Sequence, residues 1–526
     1  MVYDFIIIGG GSAGCVLAAR LSENPEVKVL LLEAGGGDQH PFYTLPAGFA
    51  KMTKGIGSWG WHTVPQRHMN DMSIRFTQAK VIGGGSTINA QIYTRGNRLD
   101  YDEWRQMGCT GWGYDDVLPF FKKAEDNDTY DNDYHGKGGP LGVSKPSAPL
   151  PICEAYFRAA GELGIPFNPD MTGEKQDGVG YYQLTQKHAR RSSASKAYLG
   201  QARHRENLTI RTGVDTRRIR IENGRATGVE LAGGEVLTAG RELLLSSGAI
   251  GSPRLLMLSG IGPAAHLRAA GIETVFNHPE VGENLQDHLD LFTILECAGD
   301  FTYDKYAQPF WSAVAGLQYL LTRKGPVASS LFETGGFWYA EQDARSPDIQ
   351  FHLGLGSGIE AGVEKMVNPG VTLNSAYLRP RSRGSVRLKS ANSADAPLID
   401  PNYWADPHDR EMSIRGLKLA QEIMHQDALK PFIKREMLPG PEVKTDDDYF
   451  AYACRHAKTD HHPAGTCRMG SDDRAVVDPA LKFNGIAGLR VVDASIMPTL
   501  ISSNTNAAAI MIGEKAADMI VREHGL

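Results

Sequence analysis

The feature that most constrains this chain is a glycine turn set between two apolar runs at its start. Phe5-Ile6-Ile7-Ile8 leads into Gly9-Gly10-Gly11-Ser12-Ala13-Gly14, and a helical apolar pattern follows to Leu21. A second run, Val27-Lys28-Val29-Leu30-Leu31-Leu32, ends at Glu33. Each glycine of this Gly-x-Gly-x-x-Gly has a physical reading. Gly9 allows the tight strand-to-helix turn, Gly11 lets a diphosphate approach the backbone, and Gly14 permits close helix–strand packing. Ser12 and Ala13 open the helix, whose free N–H groups and dipole favour an anion. Glu33, nineteen residues past Gly14, stands where a carboxylate reaches a ribose hydroxyl, with Ala34 beside it. A carboxylate there disfavours a 2′-phosphate. The motif therefore reads as a dinucleotide site and leaves nicotinamide or flavin open.

At 526 residues the chain is too long for one core and calls for two or more domains. Its 41% apolar and 22% charged content is that of a soluble globular protein. A net charge of −6 gives no electrostatic case for binding nucleic acid or an anionic membrane. The six cysteines show no Cys-x-x-Cys spacing, which suits a reducing compartment and argues against a structural zinc; no metal is expected. The first strand begins almost at once, and no run of ~18 apolar residues follows. The expectation is a cytoplasmic enzyme with at most a peripheral membrane contact.

Further along, Val81-Ile82-Gly83-Gly84-Gly85-Ser86-Thr87-Ile88-Asn89-Ala90 reads as a second tight loop, capped into a helix by Ser86 and Thr87. Two such loops imply a ligand too large for one to enclose. Residues 100–125 read as one amphipathic helix, 151–165 as another, and 166–196 as an irregular excursion. Short strands over 208–231 read as an antiparallel meander inserted into the nucleotide domain. A buried parallel strand ends near Gly248, and a helix is predicted from Pro253, a residue suited to a first helical turn. Between 290 and 450 strands and helices alternate as in an antiparallel α+β domain. Near the C-terminus, Thr459-Asp460-His461-His462-Pro463-Ala464-Gly465 sets histidines beside a turn. A buried strand ends at Asp493-Ala494, and Asn504-Thr505-Asn506 reads as the cap of a helix over 507–521.

Together these motifs resemble the glucose–methanol–choline (GMC) oxidoreductase family over essentially the whole chain. The carrying residues are the turn at 9–14 with Glu33, the loop 83–89, Gly248-Ala249-Ile250-Gly251-Ser252-Pro253, the stretch 281–288, His462-Pro463-Ala464-Gly465-Thr466 and Asn504-Thr505-Asn506. The resemblance implies a doubly wound, Rossmann-like α/β FAD-binding domain (1–150, 197–290 and 455–526). It also implies an α+β substrate domain with an antiparallel sheet (151–196 and 291–454). FAD would lie extended, its diphosphate on the first turn and its ribose on Glu33. Val214 would meet the adenine; Val81, Gly84, Gly85, Ser86, Asn89 and Ala90 would line the flavin. Gly248, Asp493 and Ala494 would approach the pyrophosphate and ribityl chain, and Thr505 with Asn504 would aim a helix N-terminus at the flavin.

By the same resemblance, His462 is the base that takes an alcohol's hydroxyl proton while its hydride passes to the flavin, and Asn504 binds the substrate oxygen. His461, one residue away, should point to the opposite side of an extended segment. His288 is expected to tie the domains together. Some relatives bind flavin covalently through a histidine where this chain has Ile88, so noncovalent FAD is expected. Spacing details around 40–52 and 324–328 are similar to bacterial sorbose or polyol dehydrogenases. The expected electron acceptor is a quinone, a cytochrome or an artificial dye. Other readings are a choline dehydrogenase with Trp59, Trp61, Phe310 and Trp311 as an aromatic cage, an oxidase using oxygen, a hydroxynitrile lyase whose flavin is not turned over, and, on the first motif alone, an NAD-dependent dehydrogenase.

Overall fold

A computed structural model describes residues 2–526. Two seven-stranded sheets carry the chain. In the first, Leu208–Thr212, Val29–Glu33, Val2–Ile8 and Val236–Leu245 lie side by side and parallel, with Leu489–Val491 joining beyond Val236–Leu245. Val29–Glu33 is buried throughout, as helices on both faces require, so its sequence is continuously apolar. Val236–Leu245 changes character along its length. Its first residues alternate exposed and buried where they pair antiparallel with Arg225–Leu231; its last four are wholly buried.

Thr216–Glu222 and Arg225–Leu231 form a hairpin turning at Asn223-Gly224, both at positive φ (50° and 73°), as a two-residue type I′ turn requires. The meander is thus smaller than the sequence reading made it. Leu208–Thr212 pairs parallel with Val29–Glu33 instead. An edge strand of a parallel sheet keeps one solvated side, so its Thr and Arg residues imitate a meander strand.

The first and last helices, Ser12–Leu21 and Asn506–His524, pack on each other over this sheet. Gly513 sets their closeness: a Cβ there would stand 2.9 Å from Val16 Cβ. Arg20 clamps the buried Glu514 with Nη2–Oε1 2.8 Å and Nε–Oε2 3.0 Å, fixing the C-terminal helix against the last turn of the first.

The second sheet is antiparallel and runs Ile433–Leu438, Leu289–Cys297, Gly370–Tyr377, Ile349–Gly354, Thr334–Trp338, Gly178–Tyr181. The stretch 166–196, read as irregular, therefore supplies an edge strand. Lys458–Thr459 also pairs into this sheet, against Leu289 and Asp290. Ile349, Phe351, Leu353, Val371 and Leu373 pack with helix Pro407–Met424 in one core. Period-two alternation turns Gln350, His352 and Asn374 to the other face.

Two helices differ from expectation. Residues 100–125 form Arg98–Gln106 and Tyr114–Ala124, broken where Gly108 and Gly111 take φ of 93° and 83°. The helix expected from Pro253 starts at Gly248 and runs to Leu258, with the proline inside it. The proline leaves the Ala249 carbonyl without an N–H partner, and Thr466 Oγ1 donates to that oxygen at 2.6 Å.

Candidate active site

Two cavities, of ≈ 210 and ≈ 200 Å³, meet along a shared wall that includes Ser12, Gly85, Gly248 and Ala494. They form one elongated space running from Glu33 and Val214 to His462 and Asn504. An extended dinucleotide needs a channel of this kind.

The nucleotide end is built by backbone contacts that only glycine allows. Gly9 has φ +103°, and a Cβ on it would lie 2.4 Å from the Ser246 carbonyl oxygen. A Cβ on Gly14 would lie 2.0 Å from the Gly9 carbonyl oxygen. The second glycine loop rests directly on the first: Gly83 N–H donates to Gly10 O at 2.7 Å, and a Cβ on Gly84 would come within 2.7 Å of Gly11 Cα. Glu33 accepts from Gly10 N (2.8 Å) and Gly35 N (2.6 Å), and each oxygen keeps a second lone pair. Burial raises its pKa against the pull of those two bonds.

Gly9, Gly11, Ser12, Ala13, Glu33 and Ala34 line this end, as do Gly84, Gly85, Val214, Gly248, Asp493 and Ala494. Asn89, Ala90, Asn504 and Thr505 line the other. Gly14, Val81 and Ser86 stand behind the wall. Ser86 and Thr87 do not cap a helix; their hydroxyls donate backwards to Gly83 O (2.6 Å) and Ile82 O (2.8 Å), tightening the loop. Asp493 is pinned by Gly248 N (2.9 Å) and Ser252 Oγ (2.6 Å). Trp59 and Trp61 stack with centroids 5.0 Å apart on the nucleotide cavity, while Phe310 and Trp311 sit on an exposed helix. These four residues form no cage.

At the other end the C-terminal helix begins with no side-chain cap, which corrects the capping role given to 504–506. Asn506 Oδ1 accepts instead from Ser12 Oγ at 2.7 Å. Asn504 Oδ1 accepts from Gln350 Nε2 (2.9 Å) and Thr94 Oγ1 (3.1 Å), which turns its NH2 toward His462 Nε2 at 3.2 Å.

The protonation of His462 follows from its neighbours. His288 Nε2 lies 3.0 Å from the Leu378 carbonyl oxygen, which can only accept, so that nitrogen carries the hydrogen. Burial pushes the His288 pKa down to about 4, so the ring is neutral near pH 7 and its Nδ1 is an acceptor. His462 Nδ1 lies 3.0 Å away and therefore donates to it. His462 is itself held well below the ordinary imidazole range, first by burial and then by His288 and His352. Neutral, with hydrogen on Nδ1, it presents a bare Nε2 to the cavity.

His288 is therefore an orienting partner of His462, more than the domain tie expected of it. Asp287 fixes the backbone, accepting from His462 N–H at 2.7 Å and from Thr459 Oγ1 at 2.5 Å. His461 does not point away as alternation predicts. Its φ is +61°, so the segment is not extended there, and His461 lines the same cavity.

Sequence reasoning missed the floor of this cavity: His352, Glu360, Asn374 and Asp460, with Gln350 and Lys458 behind. The signal for Gln350 and His352 was present, as two polar residues at i and i+2 in an otherwise apolar strand. Glu360 lies in a loop with no motif. It is held by Asn374 Nδ2 (3.0 Å) and Lys458 Nζ (3.1 Å), and Lys458 also meets Asp290 at 2.5 Å. His288, Asp460 and His462 bring one donor atom each within 4.8 Å of one another. A metal there would break the His288–His462 contact that orients His462.

Comparison with known proteins gives the family. Models of the N- and C-terminal parts of the GMC oxidoreductases match residues 3–290 and 380–513. The chain is 43% identical to an alcohol dehydrogenase (acceptor) of Pseudomonas putida, covering 99% of this chain and 96% of that one. It is 40% identical to an oxygen-dependent choline dehydrogenase of Sinorhizobium fredii, covering 100% and 97%. Pyridoxine 4-oxidase from Mesorbium loti superimposes with a TM-score of 0.90 at 33% identity, covering 100% and 99%. A formate oxidase of Aspergillus oryzae does so with 0.94 at 28%, covering the same shares. The chain belongs to the GMC oxidoreductase family and is an FAD-dependent oxidoreductase acting on CH–OH donors.

Proposed function

We propose that the chain oxidises an alcohol bearing further hydroxyl groups, with His462 as the base. The observation that carries this is the one-way hydrogen-bond chain through His288, which leaves His462 Nε2 as an acceptor beside the Asn504 amide donor. An alcohol oxygen set against both, in place of their direct 3.2 Å contact, gives its proton to Nε2 and accepts from Asn504, which holds the forming carbonyl oxygen. FAD, when bound, supplies the hydride acceptor. The proton reaches a ring already desolvated and oriented, so little rearrangement accompanies the transfer.

Hydroxyls beyond the reacting one are favoured by the cavity floor. Asn374 Oδ1, Asp460 Oδ2 and His352 Nε2 are buried on it without partners among the described residues. An unpaired buried acceptor costs about 1–3 kcal/mol, and substrate hydroxyls can fill such sites. A quaternary ammonium has no N–H to offer them. Glu360, the carboxylate placed to attract it, is already paired with Lys458, and the aromatic rings lining this cavity are two phenylalanines, Phe49 and Phe332, packed edge-on against each other. A diol should therefore exceed the plain alkanol of equal chain length in kcat/KM by roughly ten-fold or more. Choline turning over faster than either would overturn this reading.

Ile88 lines the cavity and has no atom with which to bond a flavin carbon. The flavin should therefore leave acid-precipitated protein and appear in the supernatant; a yellow pellet would contradict that. Electrons then pass to a quinone, a cytochrome or an artificial dye.

A further inference from the structure

The helix Pro309–Thr322 has no charged side chain in its fourteen residues, yet it lies on the surface. Phe310 is 70% exposed, Leu317 59%, Leu320 69% and Leu321 76%, with Trp311 and Val314 near 40%. Phe310, Val314, Leu317 and Leu321 follow the i, i+4, i+7, i+11 stripe of one helix face, flanked by Trp311 and Leu320. Only Ala315 and Tyr319 are buried. Tyr319 anchors the opposite side, its hydroxyl donating to the Ala189 carbonyl at 2.9 Å. The apolar arc spans about half the helix circumference, and within it only Gln318 is polar.

Cations bound the helix. Lys305 precedes it, its ammonium 5.4 Å from the Trp311 ring centroid, and Arg323 and Lys324 follow its last residue. Asp304 is turned inward onto Ser357 and Gly370 backbone N–H groups, and Asp300 pairs with Lys305 at 3.7 Å, so the positive charge is concentrated at Arg323 and Lys324. A molecule of net charge −6 thus carries a locally basic rim around an uncharged, convex ridge.

We infer that this helix seats the protein on the surface of an anionic lipid bilayer, lying in the interface with its apolar face among the acyl chains. An apolar face with basic flanks and an aromatic residue at its edge is the chemistry of interfacial helices. A second copy of the chain fits less well. A helix of this length is about 21 Å by 10 Å, so its footprint, even doubled for curvature, is about 400 Å². A stable protein–protein interface needs about 800 Å² per partner. Among the described residues no helix is long and apolar enough to cross a membrane, so the contact is peripheral. Ten residues beyond Thr322 the chain reaches Phe332 on the wall of the cavity. A lipid-soluble electron acceptor would thus meet the protein on the side that leads to its site.

The test is co-sedimentation of the holoprotein with vesicles of phosphatidylcholine alone and with phosphatidylglycerol mixed in. The wild type should pellet with the mixed vesicles and less with the neutral ones. Leu317→Asp with Leu321→Asp should weaken both by about ten-fold or more, while Arg323→Glu with Lys324→Glu should weaken only the anionic case. Turnover with a soluble dye should be unchanged in both variants, which shows them folded independently of the lipid result. Wild-type protein remaining in the supernatant with both compositions would overturn the inference. So would a dimer in sedimentation velocity that the leucine variant dissolves while vesicles go unbound.

Discussion

His462→Ala should slow anaerobic flavin reduction by an alcohol ~10²–10⁴-fold, the range for removing a general base. The structure gives reason to expect the upper part of that range. The histidines that remain are poorer bases in place: His288 stays tied to Leu378 O through Nε2, and burial pushes His352 down to about 3. His461 has a pKa lowered to about 4 by burial and so is also neutral, but its Nδ1 has no partner to set its tautomer. His288→Ala should give a milder loss, since His462 stays in place with only Asp460 Oδ2, 3.5 Å away, to hold hydrogen on Nδ1. A rate for His462→Ala within a few-fold of wild type would assign the proton to another group.

Gly14→Ala should strip the protein of flavin. The added methyl would stand 2.0 Å from the Gly9 carbonyl oxygen, which is backbone and cannot rotate aside. The turn must open, and Gly9 is itself wedged against Ser246. The diphosphate-binding N–H groups then lose their alignment. The expected result is a purified protein with less than about a tenth of the wild-type flavin content, since one misplaced charge-assisted hydrogen bond is worth about 1.5–3 kcal/mol. Circular dichroism should remain that of the wild type, because the buried strands on either side are untouched. Full flavin content would mean that the turn is looser than it looks.

The nucleotide end of the site could be read from the chain because its determinants are local. Gly9, Gly11, Gly14 and Glu33 sit within one strand–turn–helix–strand unit, where spacing alone fixes geometry. His462 and Asn504 could be named only through the family resemblance, since their approach depends on two sheets and a helix that meet from distant parts of the sequence. The floor escaped for the same reason. His352 and Asn374 become neighbours only through the register of two antiparallel strands, which pairs them directly. Two of the readings that failed locally did so at identifiable residues. Alternation broke at His461 because of its left-handed backbone. Pro253 reads as a helix start because Thr466, which satisfies the carbonyl it orphans, lies more than two hundred residues away.

The most direct test of the central claim is the rate of anaerobic flavin bleaching by a polyhydroxy alcohol as a function of pH. The base works only as neutral imidazole, so the rate is full above its pKa and falls as pH drops through it. Burial holds His462 well below the ordinary value of 6.5. The account predicts bleaching whose rate is level from pH 6.5 upward, with any acid limb below that. A flavin that no alcohol bleaches, or an acid limb centred above 6.5, would contradict it.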